Sequence, residues 1–445
     1  MKKLVPQPED QTRRDFVKKV AVASSGIMFS SLPLSAAVSI DGTDEIKVAL
    51  IGCGGRGTGA ASQAINADPG VRIVAVADVF EDRLTSCLNT LSEAHANSAA
   101  LKTKPQSFIG FDAYRKAIDL ADVAILTTPP GFRPAHFEYA VEKGKQVFME
   151  KPVATDVVGI KQILKAAKVA KQKKLNVVVG LQRRYQKSYV EVEKLLRKGK
   201  VGDIIGGQVY WNSDGVWVNE RQPDQTELEY QMRNWYYFNW LCGDHILEQH
   251  IHNIDIANWF IGTHPVLAQG MGGREVRNGK DHGQIFDHHF VEFEYPTGAI
   301  ISSQCRHQPG CLSRVDERFQ GTKGNVIVDS SSKGIMKNYK GKVIYQHNGS
   351  SDVNPYQQEH NELFDAIRKG EFRYQDAENA AHSSMTSILG RMATYSGQAI
   401  TWDEAMNSDL DLGTNVTSWD DPPPVLPDTM GQYPIAKPGK TSFLS

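Results

Sequence analysis

The run Lys47-Val48-Ala49-Leu50-Ile51 leads directly into Gly52-Cys53-Gly54-Gly55-Arg56-Gly57, and no other stretch constrains the chain as tightly. A short, nearly unbroken apolar run reads as a strand buried on both faces, the kind that builds parallel sheets. Gly52, Gly54 and Gly57 then fall in the spacing G-x-G-x-x-G. The first lets the chain turn tightly, the second lets backbone approach a pyrophosphate, and the third lets the following helix pack on the strand. That helix is expected to begin near Gly57 and to pass through Ile65, its N-terminal amides facing the phosphates. A second strand, Val71 to Ala77, ends on Asp78, 26 positions beyond Gly52. The carboxylate that binds an adenosine ribose sits ~20 residues on in this arrangement. Strand, glycine loop, helix, strand and acid predict an NAD-binding α/β domain. Gly55 and Arg56 join the cofactor residues as members of the loop. Arg83, the nearby cation, is expected to face solvent from the next helix.

Further along, Val123 to Thr127 forms another buried run, closed by Thr128-Pro129-Pro130. Ligands of a doubly wound sheet lie beyond the carboxyl ends of its strands, which places Thr128 and Pro129 beside the cofactor. His136 opens the helix that follows, as a packing residue or as a direct participant. The strand Gln146 to Met149 ends on Glu150-Lys151-Pro152 and so presents Glu150 and a lysine at the same sheet edge. A helix over residues 154–174 and a strand over 176–180 are expected to complete this domain. Gln182-Arg183-Arg184-Tyr185 then marks the crossing into a second domain, with Arg184 a candidate substrate contact.

A chain of 445 residues exceeds what one hydrophobic core supports. We divide it into an N-terminal signal segment (1–40), an NAD-binding Rossmann domain (44–180), a substrate-binding α+β domain (181–402) and a C-terminal tail (403–445), Pro-rich from Pro422 and expected to be surface-bound or mobile. The signal reading rests on Thr12-Arg13-Arg14-Asp15-Phe16-Val17-Lys18, a twin-arginine pattern. A moderately apolar stretch and the small residues Ser35-Ala36-Ala37 follow it. It predicts export in the folded state to the periplasm. Lys+Arg of 50 against Asp+Glu of 51 gives a net charge of −1, which favours neither nucleic acid nor an anionic membrane surface. No membrane insertion is expected after processing. Five cysteines without C-x-x-C spacing argue against a disulfide framework. Cys305 and Cys311 are the pair open to bridging in an oxidising compartment.

The second domain is dominated by short strands, among them Phe290 to Tyr295 turning through Pro296-Thr297-Gly298 into Ala299 to Ser303. Strands without long intervening helices indicate a largely antiparallel open sheet. Between them lies Gly243 to Trp259, read as one helix on which Glu248, His252, Asp255 and Trp259 share a face. A carboxylate one turn before a histidine can orient it as a general base; the plainer reading is a capped amphipathic helix. His245, Glu248, His250 and His252 crowd together, yet no three have metal-ligand spacing, so no metal is expected. His288-His289 starts a strand, from which one ring, taken as His288, reaches the substrate. Trp235, Tyr236 and Trp240 in an aromatic run either fill the core or offer a sugar ring a flat wall, Tyr236 being the chosen candidate.

Taken together, the glycine loop, Asp78, Thr128-Pro129-Pro130 with His136, and Glu150-Lys151-Pro152 resemble the glucose–fructose oxidoreductase/inositol dehydrogenase (Gfo/Idh/MocA) family, from about residue 45 to 400. The resemblance implies a catalytic role for Lys151 and a catalytic base at His252 within the pattern Asp-x-x-x-His-x-x-Asp. Here Glu248 replaces the first aspartate, Asp255 matches the second, and His250 stands where glycine is common. The function expected is NAD-dependent oxidation of a sugar, polyol or glycoside hydroxyl, in a homo-oligomer. The alternative is an NAD-dependent glycoside hydrolase working by transient oxidation and elimination. A non-enzymatic sensor fits poorly with both Lys151 and His252 present. Export further implies a tightly held cofactor recycled on the protein.

Overall fold

Residues Val48 to Ile51 are at most 1% exposed, and the strand they form, β1 (Ile46–Ile51), lies in the middle of a parallel sheet. It pairs with β2 (Val71–Asp78) on one side and β4 (Val123–Leu126) on the other. With β3 (Gln106–Ile109), β5 (Gln146–Met149) and β6 (Val177–Val179), the order is β3-β2-β1-β4-β5-β6. This is the doubly wound Rossmann order, whose ligand crevice lies where the winding reverses, between β1 and β4. The computed structural model describes residues 45–413 and 415–442; the twin-arginine segment lies outside them. Helices Gly55–Ala67, Glu81–Ala94, Arg133–Glu142 and Val157–Gln172 connect the strands. The last starts later than the sequence suggested, because the Asp156 carboxylate caps it by accepting from the Gly159 amide at 2.7 Å.

The second sheet has nine strands: β7 (Ile204–Ser213), β8 (Leu267–Gly273), β9 (His288–Glu294), β10 (Ile300–His307), β11 (Arg314–Gly321), β12 (Gly324–Asp329), β13 (Gly334–Asn338), β14 (Val343–His347) and β15 (Ile400–Thr401). Their order is β14-β13-β12-β11-β7-β10-β9-β8-β15. Every pair is antiparallel except β7 with β10. The long helix Asp376–Ser396, buried continuously from Ser383 to Ser396, packs against β8 and β9 and against the first domain's helix Val157–Gln172.

One helix packs across the boundary read from sequence. Helix Pro355–Arg368, assigned to the second domain, buries Leu363, Phe364 and Ile367 in the core of the first sheet. Arg368 holds Asp68 at 2.6 Å across that contact. The amphipathic pattern gave the helix but not the sheet it would cover. The C-terminal segment is bound to the surface, one of the two expectations for it, with Val416 and Tyr433 buried among aromatic side chains. All five cysteines are free thiols; Cys305 is buried and Cys311 exposed.

One polar cluster fixes the domains together. Arg183, from the crossing turn Gln182–Tyr185, is buried against Glu317 of β11. The same carboxylate accepts from Asn253 Nδ2 at 2.6 Å and from the Tyr189 hydroxyl at 2.7 Å. Asn253 lies next to His252, so this cluster also seats the histidine's helix. Removing one member of a buried ion pair strands the other without a counter-charge. Arg183→Ala should therefore lose about 3–5 kcal/mol in urea unfolding, whereas the paired change Arg183→Met with Glu317→Leu should lose much less.

Candidate active site

A cleft of about 720 Å³ runs from the glycine loop to the second domain. Gly52, Gly54, Gly55, Arg56, Gly57, Asp78, Thr128, Pro129, Glu150 and Lys151 all line it. The loop is built for close backbone approach. A Cβ on Gly57 would lie 1.9 Å from the Gly52 carbonyl oxygen, and Gly52 itself has φ +95° with its own Cβ position 2.7 Å from the Thr128 amide nitrogen. Thr127 Oγ1 bonds the Gly52 carbonyl at 2.7 Å, tying the loop to the end of β4. Asp78 accepts from the Cys53 amide at 2.6 Å and from the Phe80 amide at 2.9 Å. Burial pushes its carboxyl upward, while those amides and Arg83 oppose the shift. Arg83 does not face solvent: it lines the cleft, 3.9 Å from where a Gly54 Cβ would be. Arg56 pairs with buried Glu150 at 2.7 Å and lies over the Tyr356 ring, which the domain-core helix Pro355–Arg368 supplies. His136 bonds Thr128 Oγ1 at 3.2 Å, and burial holds its ring neutral, with its pKa lowered to about 3. A loop with no room for a side chain at Gly52 or Gly57, a carboxylate at the end of β2 and a long cleft fit a dinucleotide.

At the inner end, Lys151 Nζ donates to Glu248 Oε1 at 2.7 Å and also to the Glu248 carbonyl. Desolvation raises the Glu248 carboxyl, and Lys151 partly offsets this. His252 also lines the cleft. Burial first, then the charges of Lys151 and Arg183, push its pKa well below the usual imidazole range, so the ring is a neutral base. Among the described residues its Nδ1 has no hydrogen-bond partner.

The helix expected over Gly243 to Trp259 is broken in two, His245–Glu248 and Ile251–Ile261. The His250 amide reaches back to the His245 carbonyl at 3.1 Å, and the His252 amide to the Gln249 carbonyl at 3.3 Å. A wide turn followed by a tight one shifts the register, so a four-residue spacing no longer means one shared face. The His250 ring, buried and bonded to Ser303 Oγ of β10 at 2.7 Å, holds the junction. Glu248 therefore grips Lys151 rather than orienting His252.

Four residues expected at the substrate lie elsewhere. Arg184 and Asp255 bond each other with two contacts of 2.8 Å, and Asp255 also accepts from Ser383 at 2.7 Å. Tyr236 is buried behind the cleft wall, beside Trp217 and Trp235. His288 is half-exposed and bonds Asp287 at 2.8 Å. In their place Trp211, Trp217, Asn219, Met232, Trp235 and Gln249 complete the lining. Trp235 belonged to the aromatic run singled out in the sequence; Trp217 and Asn219, in an irregular loop, carried no pattern at all. Behind this wall Asp244, His245 and His289 come close enough to hold a metal ion, a grouping that the sequence spacing did not reveal. The Asp244 carboxylate is, however, already engaged by the rings of His245 and His289, the Phe286 amide and the Tyr395 hydroxyl.

Comparison with known proteins gives the same picture. Residues 46–180 match the model of the oxidoreductase family with NAD-binding Rossmann fold (GFO_IDH_MocA), and residues 189–327 match the GFO/IDH/MocA C-terminal domain. The inositol 2-dehydrogenase of Rhizobium meliloti (strain 1021) is 24% identical over 287 residues, 64% of this chain and 76% of that protein. A glycosyl hydrolase family 109 protein of Shewanella pealeana is 24% identical over 241 residues, 50% of this chain and 49% of its own. Among solved structures, levoglucosan dehydrogenase in complex with NADH and levoglucosan superposes with a TM-score of 0.64 at 16% identity, over 80% of this chain and 99% of that one.

Asp78 sets the expected cofactor preference. A carboxylate accepts from ribose hydroxyls and repels a 2′-phosphate. Calorimetry should show NAD bound on the order of 100-fold more tightly than NADP, the scale of a like-charge clash. Asp78→Ser should narrow that gap, with Arg83 left to meet the phosphate.

Proposed function

The chain belongs to the Gfo/Idh/MocA oxidoreductase family, and on that premise we propose that it oxidises a hydroxyl of a sugar, polyol or glycoside with a tightly held NAD that is reset on the protein. The carrying observation is the convergence of the Lys151–Glu248 pair and the neutral His252 in the same cleft that the glycine loop lines. NAD, when bound there, supplies the hydride acceptor. His252 takes the hydroxyl proton, since a neutral ring in a desolvated site is ready to accept one. The Lys151 ammonium donates to the substrate oxygen as it becomes a carbonyl oxygen, and Glu248 holds that ammonium in place. Trp217, Trp235 and Trp211 offer apolar faces against which a ring of alternating C–H and O–H groups can rest.

The twin-arginine segment supports a periplasmic location for this chemistry. No NAD pool is replenished there, so a one-way dehydrogenase would stop after a single turnover. The hydride must return, either to a second carbonyl compound or to the same substrate after a bond has broken. A homo-oligomer is part of the same reading.

Lys151→Ala and His252→Ala should each lower turnover by about 10²–10⁴, the range for a general acid–base group, with little change in melting temperature. Because His252 titrates well below 6.5, its base form survives as pH falls through the ordinary imidazole range. The kcat/KM profile should thus stay level from pH 8 through 6.5 and drop only at lower pH; a half-point at 6.5 would remove His252 from the role.

The mature protein should also be isolated with NAD(H) bound and should release no accumulating NADH during turnover. Mass spectrometry of denatured protein tests the first point. Product analysis on a panel of free polyols, sugars and glycosides tests the second: a ketone with a reduced co-substrate supports net oxidation, and a released aglycone indicates hydrolysis. An empty site with steady NADH release would overturn the recycling reading.

A further inference from the structure

The cofactor cleft is walled at the Asp78 end by Phe80, just past β2, and by Phe111, just past β3. Neither ring is held by the first domain alone. Trp419, from the C-terminal segment, packs on both, with ring centroids 5.3 Å from Phe80 and 5.0 Å from Phe111. Trp419 is itself seated by a turn in which the Asp421 carboxylate accepts from the Thr417 and Ser418 amides at 2.7 and 2.9 Å. On either side of this turn the segment is pinned to both domains. The Leu412 amide donates to Asp156 of the first at 3.0 Å, and Gln231 of the second donates to the Val425 carbonyl at 2.7 Å. Tyr433 then bonds Glu227 at 2.5 Å and packs edge-on against Phe238 at 4.9 Å.

We propose that the C-terminal segment completes the adenosine end of the NAD site, with Trp419 as the positioning residue that fixes Phe80 and Phe111 as the wall for the adenine ring. The winding places the adenosine ribose at Asp78, so the adenine must extend toward the ends of β2 and β3, where these two rings stand. A flat heterocycle gains from aromatic walls whose geometry is already set, because their rotamers need not be ordered on binding. Trp419 lies outside the cleft lining and touches neither Lys151 nor His252, so its effect falls on cofactor retention rather than on the chemistry. The inference requires only that NAD is the cofactor; it is independent of the substrate and of the recycling reading.

Trp419→Ala and Trp419→Phe test it, Trp419 being 36% exposed and outside the main cores. Three probes are titrated into each protein and into the wild type after bound cofactor is exchanged out: NADH, ADP-ribose and reduced nicotinamide mononucleotide. Trp419→Ala should weaken NADH and ADP-ribose on the order of tenfold, as expected for the loss of two aromatic contacts. It should leave the mononucleotide, which has no adenine, unchanged. Trp419→Phe should recover most of the loss. Cofactor content after gel filtration should fall in the same order. Unchanged NADH and ADP-ribose affinity in Trp419→Ala would overturn the proposal. So would an equal loss for all three probes, since that would mean a general effect on the fold rather than on the adenine wall.

Discussion

The ion pair between Lys151 and Glu248 is the contact on which the cleft depends. Lys151 leaves the end of a parallel strand in the first domain, and Glu248 ends a short helix in the second. Both side chains are largely withdrawn from water, so each charge relies on the other to offset desolvation. The contact thus joins the two domains at one point, and His252 stands in the same cleft as that pair and the glycine loop. It also sets the local electrostatics: the lysine's charge helps keep His252 neutral while the glutamate keeps the lysine in place. A base and a hydrogen-bond donor of opposite proton demand are held side by side without neutralising each other.

Around that pair the packing is interwoven rather than modular. The buried Arg183–Glu317 contact ties the crossing turn to the second sheet, and Asn253 carries the tie into the histidine's helix. The helix Asp376–Ser396 runs between the second sheet and a helix of the first domain. Tyr356 and Trp419, both far along the chain, stand beside the cofactor half of the cleft or behind its wall. Rigid support from several directions is what a site needs if its reacting groups are to stay aligned.

What the sequence disclosed follows from how far each signal reaches. The glycine loop, Asp78, Thr128-Pro129 and Glu150-Lys151 were legible because each is encoded by a few adjacent residues at the end of a strongly apolar strand, and all line the cleft. Helix Glu81–Ala94 and the hairpin of β9 and β10 were legible for the same reason. Periodicity failed at Gly243 to Trp259, because the register there is set by His250 meeting Ser303, a partner over fifty residues away. Once that register slipped, Glu248 and Asp255 faced different partners. Arg184 looked available for substrate because nothing nearby in sequence marks Asp255 as its counter-ion. Gln249, Trp217 and Asn219 escaped notice because a turn or irregular loop gives its residues no face to predict.

The helix Pro355–Arg368 has a consequence for biosynthesis. Its Leu363, Phe364 and Ile367 belong to the apolar core beneath the glycine loop, although more than 170 residues separate them from the last strand of that sheet. While the chain is still emerging from the ribosome, the part of that sheet's face not covered by helices Gly55–Ala67 and Glu81–Ala94 stays open until residue 368 has been made. The parallel sheet that starts the molecule is therefore among the last parts to be finished. An excised fragment ending at residue 180 would expose to water the part of that face that Leu363, Phe364 and Ile367 cover. The first domain is a domain in topology, but in assembly it is completed by a helix made far later in the chain.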